Sequence, residues 1–97
     1  MNTTCPVLTD ALLDRLRALS ASFCLAEGGS HGPDHSERGL QSVLTLGRRM
    51  GARLEILAPA ALLHDIGRRE ESQSRGRICH ADRGAELAAP LLPELGY

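Results

Sequence analysis

The sequence has no dominant charge. Its 11 basic and 12 acidic residues leave a net charge of -1, which provides neither a basic face for nucleic acid nor one for an anionic membrane. It has no lysine, so every basic side chain is an arginine. That usage reads as a coding bias, although arginine is also the side chain that forks onto phosphates. Cys5, Cys24 and Cys79 stand far apart with no CxxC pair, and an odd number cannot all pair within one chain, so they read as free thiols of a reducing cytosol. The opening stretch MNTTCPVLTDALLDRL carries no early positive charge and no long apolar run, so it reads as neither a signal peptide nor a transmembrane helix. A cytoplasmic protein is expected. A second domain is excluded too, because 97 residues make one small domain with much of its surface exposed.

What is present is a chain with 42% hydrophobic residues, and these recur at helical spacing. Leu12, Leu13, Leu16, Leu19 and Phe23 fall at steps of three and four. A first helix is therefore expected from Thr9, as N-cap, to about Ala26, followed by the break EGGSHGP. A second is expected from near Asp34 to Met50, with Leu40, Val43, Leu44, Gly47 and Met50 in one stripe and Gly51 as its stop. ARLEILAPAALLHDIG predicts a third through Leu54, Leu57, Ala61 and Leu62, in which Pro59 marks a kink or a late start. RREESQSRGR reads as a solvated loop. A fourth helix is expected from His80 or Ala81 through Ala85, Ala88, Leu91, Leu92 and Leu95, across an internal Pro90. No stretch alternates over a strand's length, so the chain reads as all-α, a bundle of about four helices with no internal repeat.

The histidines fall at the ends of these elements. His35 opens the second helix, His64 and Asp65 close the third, and His80 opens the fourth, each beside an apolar stripe. Antiparallel neighbours joined by short loops bring the start of one helix close to the end of the next, so these four residues can meet in one pocket. Imidazoles with a carboxylate suit a divalent Mn, Fe, Co, Ni or Zn ion, with Mg less favoured but possible. Gly39 and Gly84 each follow a histidine by four residues, one turn along the same face, where small residues let helices approach beneath an ion. The alternative is that both are plain spacers of a packed bundle. His31, in SHGPDH, reads as a cap or a support behind the ligands as easily as a ligand itself, and stays outside the ligand set.

SHGPDHSER, AALLHDIGR and CHADRGAELA together resemble the HD superfamily of metal-dependent phosphohydrolases, in the form written HDIG. The similarity spans about residues 30–97, with 1–29 as a lead-in helix and loop, and implies one domain over 1–97 built as an all-α, HD-domain-like bundle. It further implies a mononuclear or binuclear metal centre that hydrolyses phosphomonoester or phosphodiester bonds of nucleotides or related compounds. Carried over residue by residue, His35, His64 and Asp65 match the first three metal ligands. His80 matches a position that in several subgroups binds a second metal or the substrate phosphate. The family's last ligand is an aspartate on a later helix, whereas the carboxylates after His80 are Asp82, Glu86 and Glu94, all too early. The sequence thus reads as a domain truncated before its last helices. It is a fragment, or a site completed by a second subunit, or a catalytically inactive metal-binding or regulatory domain.

On that resemblance, a divalent ion lowers the pKa of a bound water towards roughly 7 and supplies hydroxide to attack phosphorus. Asp65 and His80 are the expected catalytic residues. Asp65 orients the water, and His80 positions the substrate or protonates the leaving oxygen. Arg38 and Arg68 are the expected phosphate contacts, since guanidinium groups make paired hydrogen bonds to such oxygens. For Arg38 the competing reading is a surface pair with Asp34, worth a few tenths of a kcal/mol. The expected partner is a small-molecule phosphate ester, with no nucleic acid and no membrane, and the exposed apolar stripe of a truncated bundle favours a homo-oligomer.

Overall fold

The computed structural model describes residues 5–23 and 33–97. The expected end of the first helix at Ala26, most of the break EGGSHGP, Cys24 and His31 lie outside the described residues. Within them every regular element is helical: α1 (Asp10–Ser22), α2 (Pro33–Met50), α3 (Leu54–Leu63), α4 (Arg68–Gln73), α5 (His80–Ala88) and a 3-10 turn (Leu92–Leu95). The all-α expectation holds. Among the described residues, no helix is long and apolar enough to cross a membrane.

Thr9 caps α1 as expected, with extended backbone and its hydroxyl accepting from the Leu12 N–H at 3.1 Å. The helix stops at Ser22 because the Phe23 N–H turns back to the Ser20 carbonyl at 3.1 Å, tightening the last turn. Helix α2 opens on Pro33, where a missing N–H costs nothing. It ends at Gly51, whose φ of +68° lets the Ala52 N–H reach the Gly47 carbonyl at 2.9 Å.

Helix α3, LEILAPAALL, is apolar on nearly every side, and such a helix must be covered on several faces. It packs against both α1 and α2. Leu12 and Leu16 of α1, Leu40 and Leu44 of α2, and Ala58, Ala61, Leu62 and Leu63 of α3 form one buried cluster, with Ile66 and Leu95 added to it. Polar ties hold the same arrangement. The Arg17 guanidinium grips both oxygens of Glu37 at 2.9 and 3.0 Å, joining α1 to α2. The buried Ser20 hydroxyl donates to the Leu62 carbonyl at 2.6 Å, joining α1 to the end of α3.

Three expectations need correction. Pro59 does not mark a late start of α3; it lies inside a helix that begins at Leu54. Its missing N–H would leave the Glu55 carbonyl, four residues earlier, without a partner, and the Tyr97 hydroxyl donates to that oxygen at 2.5 Å. The stretch read as a solvated loop contains α4, which packs on α5. The fourth expected helix does not continue to Leu95. It ends at Ala88, just ahead of Pro90, and the chain resumes as the 3-10 turn.

Candidate metal centre

Where α3 ends, side chains take over its last carbonyls. His64 is the C-cap, and its Nδ1 donates to the Ala61 carbonyl at 2.7 Å, while Ser20 takes Leu62. Ile66 then drops into the core, 4% exposed, and pins the turn. Gly67 follows, and a Cβ there would lie 2.3 Å from the His80 carbonyl oxygen and 2.8 Å from the Gly84 nitrogen. The backbone of α5 therefore rests directly on this turn, which brings His80 to the end of α3. Only a residue without a side chain permits that contact.

Four of the sequence-derived residues meet around the Asp65 carboxylate, whose side chain is only 6% exposed. His35 Nε2 lies 3.3 Å and His64 Nε2 3.2 Å from Asp65 Oδ2, and His80 Nε2 lies 3.9 Å from Oδ1. The His35 and His64 rings stand 5.6 Å apart, tilted by 50°. The Arg68 Nε is 3.2 Å from Asp65 Oδ1, and its other arm reaches Glu71 at 3.2 Å. Arg68 thus neutralises carboxylates of the site, with N–H groups of its five-donor fork left over. Arg38 is exposed on α2, three residues beyond His35, and among the described residues no ion pair joins it to Asp34.

Glu71 is the residue that sequence reasoning missed. Placed in a charged run, it reads as solvated, yet its Oε2 accepts from the His80 backbone N–H at 2.7 Å and faces His80 Nδ1 at 2.9 Å. Those contacts, the backbone one foremost, hold the Glu71 carboxyl below the ordinary carboxylate range. An ionised carboxylate only accepts, so His80 Nδ1 must carry the hydrogen and Nε2 is the nitrogen turned to Asp65. Its neighbour Glu70 pairs with Arg83 of α5. No local signal points to it, since the N–H it meets opens a helix nine residues further on. The small-residue expectation is half corrected. Among the described residues a Cβ on Gly39 would meet nothing within 4 Å, so none of the described helices presses there, whereas Gly84 is buried against Gly67.

The donor set fits a divalent transition metal. One nitrogen of His35, one of His64 and one oxygen of Asp65 all lie within 4.8 Å of one another, close to the spread of ligands about 2.1 Å from a shared ion. The Ala61 carbonyl fixes the hydrogen of His64 on Nδ1, so a neutral His64 turns its Nε2 lone pair on an Asp65 oxygen 3.2 Å away. Two lone-pair groups so close call for a cation between them, a proton or a metal. Outer hydrogen bonds that orient ligand imidazoles in this way are a regular feature of metal sites. The protein-family model described as HD domain matches residues 34–97, which contain every residue of the cluster. No curated protein and no solved structure matches the chain. HD domains are a family of metal-dependent phosphohydrolases, and with this match over most of its length the chain belongs to the HD domain family.

Proposed function

We propose that this HD domain, of the HDIG type by its residues 64–67, is a metal-dependent phosphohydrolase acting on a phosphate ester of a nucleotide or similar small molecule. The observation that carries the reading is the convergence of three imidazole Nε2 atoms on one nearly buried carboxylate. His35, His64 and Asp65 would hold the ion, with Mn, Fe, Co, Ni or Zn favoured by the imidazoles and Mg possible. When bound, such an ion supplies Lewis acidity to a phosphoryl oxygen and to water.

The chain's own groups account for the rest. Hydrolysis joins a water oxygen to phosphorus, breaks the ester P–O bond and moves one proton from water to the departing alcohol. The Asp65 carboxylate would orient that water. His80, held through Nδ1 by Glu71, presents Nε2 as the group that positions the phosphate or returns the proton to the leaving oxygen. The unused N–H groups of Arg68, and Arg38 on the neighbouring helix, provide charge for the phosphoryl oxygens. The free thiols of Cys5 and Cys79 accord with a cytoplasmic setting.

The test combines metal calorimetry with turnover of p-nitrophenyl phosphate and its diester. The wild-type protein is expected to take up a divalent ion and to release nitrophenol only when loaded, while His64→Ala and Asp65→Asn lose both properties. Equal metal uptake by His64→Ala would remove the site. Stoichiometric metal without hydrolysis of either ester or of nucleotides would replace the enzyme with a metal-binding regulatory domain.

A further inference from the structure

Beside the metal centre, α3, α5 and the 3-10 turn leave a groove of about 450 Å³ between them. Small-molecule sites occupy roughly 300–1,000 Å³. A stable protein partner instead needs a patch of about 800 Å² on each side. The walls are formed by Ile56, Pro59 and Leu63 from α3, Ala85 and Ala88 from α5, and Tyr97. Among the described residues no arginine, aspartate or glutamate lines it, and the polar side chains on it are His64 and Tyr97. The Tyr97 hydroxyl is already given to the Glu55 carbonyl, so His64 is the polar end of the groove. That imidazole also belongs to the metal cluster, its Nε2 being 3.2 Å from Asp65 Oδ2.

The groove therefore starts at the metal cluster and runs away from it along apolar walls. A nucleobase or a second phosphate placed there would bury hydrogen-bonding or charged atoms without partners, a cost of several kcal/mol in an apolar setting. An alkyl or aryl group would gain burial with nothing left unpaired. The geometry points to a phosphate ester of an apolar alcohol as the substrate class, its phosphate at the His35, His64 and Asp65 cluster and its hydrocarbon portion in the groove. This inference rests on the phosphohydrolase reading above and replaces its nucleotide with an ester of an apolar alcohol.

Tyr97 is the single tyrosine of a chain without tryptophan, so intrinsic fluorescence reports on the groove itself. Metal-loaded protein is titrated with ethyl-, butyl- and hexylphosphonate, which cannot be hydrolysed, while hydrolysis is measured on the matching alkyl phosphates. Affinity and kcat/KM are expected to rise about fourfold per added methylene, with a Tyr97 response, and Ala85→Asp is expected to flatten both series. Binding and kcat/KM that ignore chain length overturn the groove assignment and leave the hydrolase standing. Chain-length-dependent binding without hydrolysis of any ester keeps the groove and removes the hydrolase. A concentration-dependent dimer that shields Tyr97 and is dispersed by Ala85→Asp also overturns the assignment, since a second copy then fills the groove.

Discussion

At Gly67 a single hydrogen atom in place of a methyl group decides whether the site can assemble. The atoms that a Cβ would strike are backbone, the His80 carbonyl at 2.3 Å and the Gly84 nitrogen at 2.8 Å, and backbone of a packed helix cannot swing aside as a side chain tip can. Gly67→Ala is expected to cost about 1–3 kcal/mol of stability through overpacking and to slow hydrolysis by pushing His80 away from Asp65. Gly39→Ala is the control. Gly39 lies inside α2, and its Cβ would meet none of the described residues within 4 Å, so alanine there is expected to stabilise by roughly 0.5–1 kcal/mol. Urea melts of both variants beside the wild type check the pair, and a neutral Gly67→Ala would show that the close approach of α5 is not required.

Among the elements, those that sort their residues by hydrophobicity are the ones legible in the sequence. The leucine stripes of α1 and α2 and the apolar run of α3 each announce a helix, because burial alone decides their period. Helix α4 has no stripe. Its RREESQ is polar throughout and is held by Arg68 to Glu71, a lone i,i+3 pair, and by contacts to α5, Glu70 to Arg83 and Glu71 to His80, which have no sequence period. The cluster around Asp65 was legible for a different reason: His35, His64, Asp65 and His80 sit at helix ends, where polar residues interrupt a pattern of burial. Glu71 was hidden because its partner lies nine residues on and across a turn. Its role has a direct test. Glu71→Ala is expected to release the His80 ring, seen as loss of the single Nδ1–H tautomer in nitrogen-resolved NMR, and to lower hydrolysis of the nitrophenyl ester by about ten- to a hundredfold. Unchanged His80 signals would reduce Glu71 to a cap of α5.

For the molecule as a whole, the first described residues and the last meet at α3. Tyr97 donates to the carbonyl that Pro59 leaves without its helical partner, and the buried Leu95 beside it belongs to the same core as Leu12 and Leu16. Burial first, and then the neighbouring Cys5 and Glu55, push the Tyr97 phenol up from its ordinary value. The folded state therefore holds this proton more tightly than the unfolded chain. Its contribution to stability is complete below the unfolded pKa of about 10 and is lost as pH rises through the higher folded value, so stability falls with pH in that window. Because Tyr97 is the chain's one tyrosine, tyrosinate absorbance follows it alone. The titration midpoint is expected above about 10 in buffer and near it in urea. Tyr97→Phe is expected to remove that alkaline slope and to cost about 1–2 kcal/mol at neutral pH, since the Glu55 carbonyl loses its donor. Coincident midpoints in buffer and urea, or a phenylalanine variant as stable as the wild type, would mean that the C-terminal turn does not complete α3.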